Sequence, residues 1–185
     1  RNGENVFVLR DVLEELKKAN CAHYVDINHI RWLCVGPPRF NTANDPYLSQ
    51  ELKERERQEM FMAYRMLIVA ADINLSGGRS FIISATFSRG KYRELVRETM
   101  ARHGGAQLVV IGCRVENDDE IKRRIVLRLQ DKDRIYCGCN SFEHYAADKA
   151  RYEPLEEFAD LMIDTGRSVE ECVQEAAGYI QRKLN

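Results

Sequence analysis

Short, nearly continuous apolar runs alternate with longer stretches of helical periodicity, and this alternation constrains the chain more than any single motif. Ser80-Phe-Ile-Ile-Ser-Ala-Thr86 and Gln107 to Cys113, with Leu-Val-Val-Ile at its centre, are the clearest runs. Such runs suit strands covered on both faces, as in a parallel sheet. Ala22 to Ile27 and Ala159 to Asp164 read as two further short strands. Helical patterns lie between them, so a parallel sheet with helices on both faces follows. The expected architecture is a three-layer α/β/α fold with a mainly parallel sheet. Such folds usually have at least one more strand, and this chain opens on a helix. A further N-terminal strand outside the sequence is therefore expected.

The helices announce themselves by spacing and caps. Val8, Leu9, Val12, Leu13 and Leu16 form one stripe over Val6 to Ala19. Ser49 to Leu75 carries Leu52, Phe61, Tyr64, Leu67, Ile68 and Ala71 on one face, with Lys53 to Arg57 solvated, and Gly77-Gly78 ends it. Met60, Met62 and Met66 default to the core, and Tyr64 and Tyr92 to half-buried positions. Trp32 is expected to pack. Ser88 is a candidate cap for a helix over Arg89 to His103. Asn117 with Glu120, and Ser168 with Glu171, have capping-box spacing. The second box opens a C-terminal helix with Val169, Cys172, Val173, Ala176 and Ile180 inward. Ser141 to Tyr152 is a further helix. Gly36-Pro37-Pro38, Asn41 to Pro46 and Asp131 to Asn140 are loops.

A length of 185 residues fits one domain. With 28 basic and 29 acidic residues the net charge is −1, which argues against nucleic acid as the partner. No apolar run reaches the roughly 18–20 residues needed to span a bilayer, and no secretory signal pattern opens the chain. The six cysteines are scattered, which favours reduced thiols and a cytoplasmic location. Cys137-Gly-Cys139 is the only close pair, a weak zinc signal even with His144 nearby.

In open parallel sheets, sites form at the carboxyl ends of the strands. Those ends carry Asp26 with Asn28, His29 and Arg31; Ser84 with Thr86, Ser88 and Arg89; Cys113 with Arg114 and Glu116; and Asp164 with Thr165 and Arg167. A second concentration is basic: Lys122, Arg123, Arg124, Arg128, Lys132 and Arg134, six residues in thirteen, against Asp131 and Asp133. Arg124 and Arg128 are four apart and share a helix face. Two guanidinium groups on one face suit phosphate oxygens; a solvated helix face is the alternative.

The order of these pieces resembles a known group. A strand ending Val-Asp-Ile-Asn-His-Ile-Arg precedes a long helix and Gly-Gly-Arg-Ser-Phe-Ile-Ile-Ser-Ala-Thr-Phe-Ser-Arg. Then follow a strand, Arg-Ile-Val-Leu-Arg, a polar loop, Lys-Ala-Arg-Tyr-Glu-Pro and a strand ending Ile-Asp-Thr. This is similar to the small P-loop kinases of the predicted-kinase group, gluconate-kinase-like and zeta-toxin-like, with AAA-type ATP binding. The resemblance covers nearly the whole chain. It implies one P-loop NTPase-like domain over residues 1–185, with a small helical lid near 122–152. It also implies Mg²⁺ with ATP or another nucleoside triphosphate, and a small hydroxyl-bearing acceptor. Asp26 would handle the acceptor hydroxyl or magnesium. Arg31, Thr86 and Arg89 would bind the acceptor. Arg124 and Arg128 would be lid arginines around the transferring phosphoryl group, since such transfer is chiefly positioning and charge neutralisation.

Two departures stand out. The group carries Gly-x-x-x-x-Gly-Lys-[Ser/Thr] before its first helix, whereas this chain reads Arg1-Asn-Gly-Glu-Asn-Val-Phe7. Asn5, or with a shifted alignment Gly3, falls at the second glycine of the nucleotide-binding loop, and no lysine follows. Ser84 stands where many relatives have aspartate. Two functions stay open: an ATP-dependent phosphotransferase, or a lapsed homologue that binds a nucleotide, a phospho-ligand or another protein.

Overall fold

The computed structural model describes residues 23–35, 49–130 and 141–184. They form four strands and six helices. Strand β1 (His23–Asp26) runs straight into α1 (Ile27–Val35), followed by α2 (Gln50–Ser76), β2 (Phe81–Ser84) and α3 (Gly90–Arg102). Then come β3 (Ile111–Arg114), α4 (Asp118–Gln130), α5 (Phe142–Lys149), β4 (Leu161–Asp164) and α6 (Val169–Leu184).

The strands pair in parallel, β1 with β2 and β3 with β4. Each pair is a β-helix-β unit, as the alternation predicts. The expected single sheet is corrected: among the described residues the four strands make two separate two-stranded sheets. The strands are also shorter than their apolar runs, at four residues each. Local geometry sets the ends. Helix α1 begins at once after Asp26, so β2 loses its partner beyond Ser84. Phe87, with φ of 44°, then turns the chain away. At the other pair, the Val110 carbonyl accepts the amides of both Asp160 and Leu161, which fixes where β3 and β4 begin to pair.

Helix α1 departs from expectation: the sequence reading has a loop after the first strand. Intrinsic propensity for Ile-Asn-His-Ile-Arg-Trp is modest. The helix is initiated by Asp26, whose carboxylate accepts the amide of Asn28 in the first turn. Trp32 on this helix is 40% exposed.

Among the described residues, three apolar clusters hold the fold. Ile27, Ala63, Tyr64, Leu67 and Tyr92 join α1, α2 and α3. Val115 packs with Ile121 and Ile125 of α4, and Phe142 and Tyr145 of α5 lie against them. Ile163, Cys172 and Ala176 fix α6 on β4. Each fully buried large aliphatic side chain contributes roughly 1.5–3 kcal/mol. Tyr64 and Tyr92 are buried rather than half-buried and stack with centroids 3.9 Å apart. Met62 and Met66 face solvent, as does much of Leu52, because the buried stripe of α2 runs through Ala63, Leu67 and Ala71 instead.

The caps mostly follow the sequence. Ser49 accepts the Leu52 amide at 3.3 Å. Ser168 and Glu171 make the full reciprocal box. Asn117 accepts the amides of Asp119 and Glu120, but Glu120 turns its carboxylate to Arg123 and Arg124. Ser88 does not cap α3; Arg89 holds that position without a side-chain bond. Among the described residues, Cys34, Cys113 and Cys172 are thiols. No described helix is long and apolar enough to cross a membrane. Cys137 and Cys139 lie outside the described residues.

Candidate functional site

The first parallel pair delivers Asp26 and Ser84 side by side at its carboxyl end, where they are register partners. Both are buried. Asp26 Oδ1 accepts the Asn28 amide at 2.7 Å and the Asn28 Nδ2 at 2.8 Å, and the Tyr24 hydroxyl lies 3.4 Å from Oδ2. A strand end, a helix start and an amide side chain thus fix one carboxylate in orientation. Burying such a charge is tolerated only with partners of this kind.

The exit of β2 carries the next candidates. The Thr86 hydroxyl shares a hydrogen bond of 3.1 Å with Tyr64 Oη, which also accepts the amide of Phe87 at 3.1 Å. Burial pushes the Tyr64 phenol up to about 12, so it stays neutral. Arg89 follows as the exposed N-cap residue of α3, and its carbonyl accepts the amides of Tyr92 and Arg93. Thr86 and Arg89 are therefore brought to the same end of the sheet as Asp26.

Arg31 lies on the second turn of α1. Its guanidinium is 3.8 Å from the Glu56 carboxylate of α2, and both side chains are largely buried. Glu56 is thus not solvated as the sequence suggests; the helix face it occupies is covered by α1.

Arg124 belongs to the other pair. It donates from Nε to Glu120 at 2.6 Å and from a terminal nitrogen to the Thr165 carbonyl at 2.5 Å, just beyond β4. Thr165 in turn donates from its hydroxyl to the Arg114 carbonyl at the end of β3. Arginine therefore ties α4 to both strand exits. Glu120 also accepts from Arg123, and this pairing, Arg123 foremost, draws its carboxyl down to about 2. Arg128 follows Arg124 one turn later on α4. Gly3 and Asn5 lie outside the described residues. Among the described residues, no group of three or more His, Cys, Asp or Glu is arranged to hold a metal ion.

Sequence inspection missed Tyr64 and Glu56 as supports of the site. Tyr64 carried only the signal of a core helix position, and nothing in the sequence marks its hydroxyl as the partner of residues more than twenty positions away.

No protein-family model matches the chain, and no curated protein matches its sequence. Solved structures share its fold, among them the following two. A "putative kinase" from Chloroflexus aurantiacus superposes with a TM-score of 0.62 at 16% identity, covering 95% of this chain and 91% of its own. A gluconokinase from Sinorhizobium meliloti gives a TM-score of 0.54 at 14% identity, covering 98% of this chain and 86% of its own. The described residues share the fold of these two proteins.

Proposed function

We propose that this protein binds ATP or another nucleoside triphosphate with magnesium and transfers the terminal phosphoryl group to a small hydroxyl-bearing acceptor. It would act as one three-layer α/β/α P-loop NTPase-like domain in the cytoplasm, with a lid near residues 122–152. The observation that carries this reading is Asp26: a buried carboxylate at a strand's carboxyl end, beside Ser84, in a fold shared with kinases.

Asp26 would take the proton from the acceptor hydroxyl as its oxygen bonds to the terminal phosphorus. The bond from that phosphorus to the bridging oxygen then breaks, and the nucleoside diphosphate leaves. Thr86, Arg31 and Arg89 would orient the acceptor, and Arg124 and Arg128 would balance charge on the phosphoryl oxygens. Gly3 and Asn5 would lie along the nucleotide phosphates. A single carboxylate with a neighbouring hydroxyl fits magnesium held mainly by nucleotide phosphates and water, the usual mode for this small cation. Bound there, the ion supplies charge neutralisation at the phosphates.

A second reading is favoured by the Arg124 contacts with Glu120 and Thr165, which engage that guanidinium within the fold. On it, the chain is a lapsed homologue that binds a nucleotide, a phospho-ligand or a protein. Thermal melts with ATP, with and without magnesium, combined with ADP release on adding D-gluconate and a panel of sugar acids and polyols, test both. Nucleotide near one hundred times its Kd should raise Tm by about 5–10 °C, with ADP released for at least one acceptor. A melt insensitive to every nucleotide overturns nucleotide binding. A shift without ADP release supports the lapsed homologue.

A further inference from the structure

Arg93, on the first turn of α3, is buried, with 6% of its surface exposed. Its guanidinium donates to three backbone carbonyls. Nε reaches Phe87 O at 2.8 Å, and the terminal nitrogens reach Glu153 O at 2.6 Å and Pro154 O. Phe87 is the residue with φ of 44°, a left-handed conformation that costs a side-chain-bearing residue energy and needs outside support. The Glu153–Pro154 segment lies between α5 and β4, so the guanidinium joins the β2 exit to the approach to β4. The join is reinforced on both sides. The Glu153 amide donates to Ser88 O at 2.9 Å, and its carboxylate accepts the Gly90 amide at 2.5 Å. The Phe158 ring packs against Phe87 and under the guanidinium groups of Arg93 and Arg97.

We propose that Arg93 is a positioning residue for acceptor binding: by pinning the Phe87 carbonyl to the 153–154 segment, it holds the strained turn that presents Thr86 and Arg89. The proposal rests on the kinase reading for its acceptor, but the clamp can be tested apart from it. The planar fork of arginine is required. It reaches three carbonyls in divergent directions, whereas a lysine ammonium is a single point donor. Arg93 touches no reacting atom on this account; it acts through the turn.

The experiment uses Arg93→Gln and Arg93→Lys in the full chain. Hydrogen–deuterium exchange is followed at the Phe87, Gly90 and Glu153 amides, with α6 as an internal control. Steady-state phosphorylation of D-gluconate by ATP–Mg is followed alongside. Exchange at the three amides should accelerate at least tenfold in Arg93→Gln and less in Arg93→Lys, with α6 unchanged. KM for D-gluconate should rise about tenfold, with partial recovery in Arg93→Lys, while KM for ATP stays within twofold. Unchanged exchange overturns the clamp whatever the activity. Faster exchange with an unchanged D-gluconate KM overturns the positioning role. If Arg93→Gln does not fold, Arg93→Lys carries both measurements. Where another sugar acid or polyol of the panel is the acceptor phosphorylated, its KM is read in place of that for D-gluconate; a wild-type chain inert toward the whole panel counts against the kinase reading alone, and the exchange result still decides the clamp.

Discussion

Tyr64 and Thr86, twenty-two residues apart, share a hydrogen bond of 3.1 Å between their hydroxyls, and this contact fixes the β2 exit onto the long helix α2. Tyr64 also accepts the Phe87 amide, so one buried phenol serves two successive residues of a strained turn. Tyr64→Phe keeps the ring stack on Tyr92 but leaves the Phe87 amide without its acceptor. The expected loss is about 1–3 kcal/mol, the cost of an unsatisfied buried donor, read from the urea midpoint. The same phenol predicts alkaline behaviour. Its folded pKa is raised, so its contribution is intact below pH 10 and is lost as the pH climbs through about 12. A wild-type midpoint that stays level from pH 9 to 12 would contradict this.

Asp26 caps the start of α1 and is the proposed proton acceptor, two roles that one substitution can separate. Asparagine caps a helix about as well as aspartate, so Asp26→Asn should keep the first turn of α1, with stability within about 1 kcal/mol of wild type. If the carboxylate is the proton acceptor, turnover should fall about 10²–10⁴-fold with nucleotide affinity retained. Parallel melts and steady-state rates check both halves, and normal turnover removes Asp26 from the chemistry.

Arg124 carries a structural duty that its neighbour's name does not reveal. Arg124→Ala strips the Thr165 carbonyl of its donor and should cost about 1–3 kcal/mol of stability. The double change with Arg128→Ala should also weaken ATP binding by about 2–3 kcal/mol, the scale of hydrogen bonds to charged groups. Calorimetric titration with ATP reads the second effect. Unchanged affinity would leave the basic stretch as a solvated helix face.

Acid should loosen the start of α4. Glu120 has a carboxyl held down to about 2 by Arg123 and Arg124, below its ordinary value of 4.5. Between those values the unfolded chain binds a proton that the folded chain refuses, so stability falls as the pH drops through this window. Asp72, paired with His103 and Arg102, is also depressed and adds to the slope. Glu120→Gln should therefore flatten the decline in urea midpoint between pH 4.5 and 2 without abolishing it. A variant as acid-sensitive as wild type would assign the decline elsewhere.

The sequence made the alternation of elements legible because it is local information. Apolar runs marked all four strands, and the Ser168–Glu171 spacing marked the start of α6 to the residue. What stayed hidden was set by tertiary partners. Helix α1 depends on a carboxylate that also ends a strand, so its weak propensity gave no sign of it. The exposed Met62 and Met66 reflect which stripe of α2 the neighbouring elements cover, and Tyr92 of α3 is buried where it stacks on Tyr64 of that stripe. Asp26, Thr86 and Arg89 were legible as polar residues at the ends of apolar runs. Arg93 was not, because its three acceptors are carbonyls, and carbonyls leave no trace in residue identity.

One carboxylate that starts a helix and faces a strand exit has an evolutionary corollary. On the kinase reading, a descendant that lost phosphoryl transfer would still need an acceptor for the Asn28 amide, so drift would preserve aspartate or asparagine at position 26 long after selection for turnover had ended. Across descendants of this chain, an exchange between those two residues, rather than outright loss, would be the mark of an enzyme that has fallen silent.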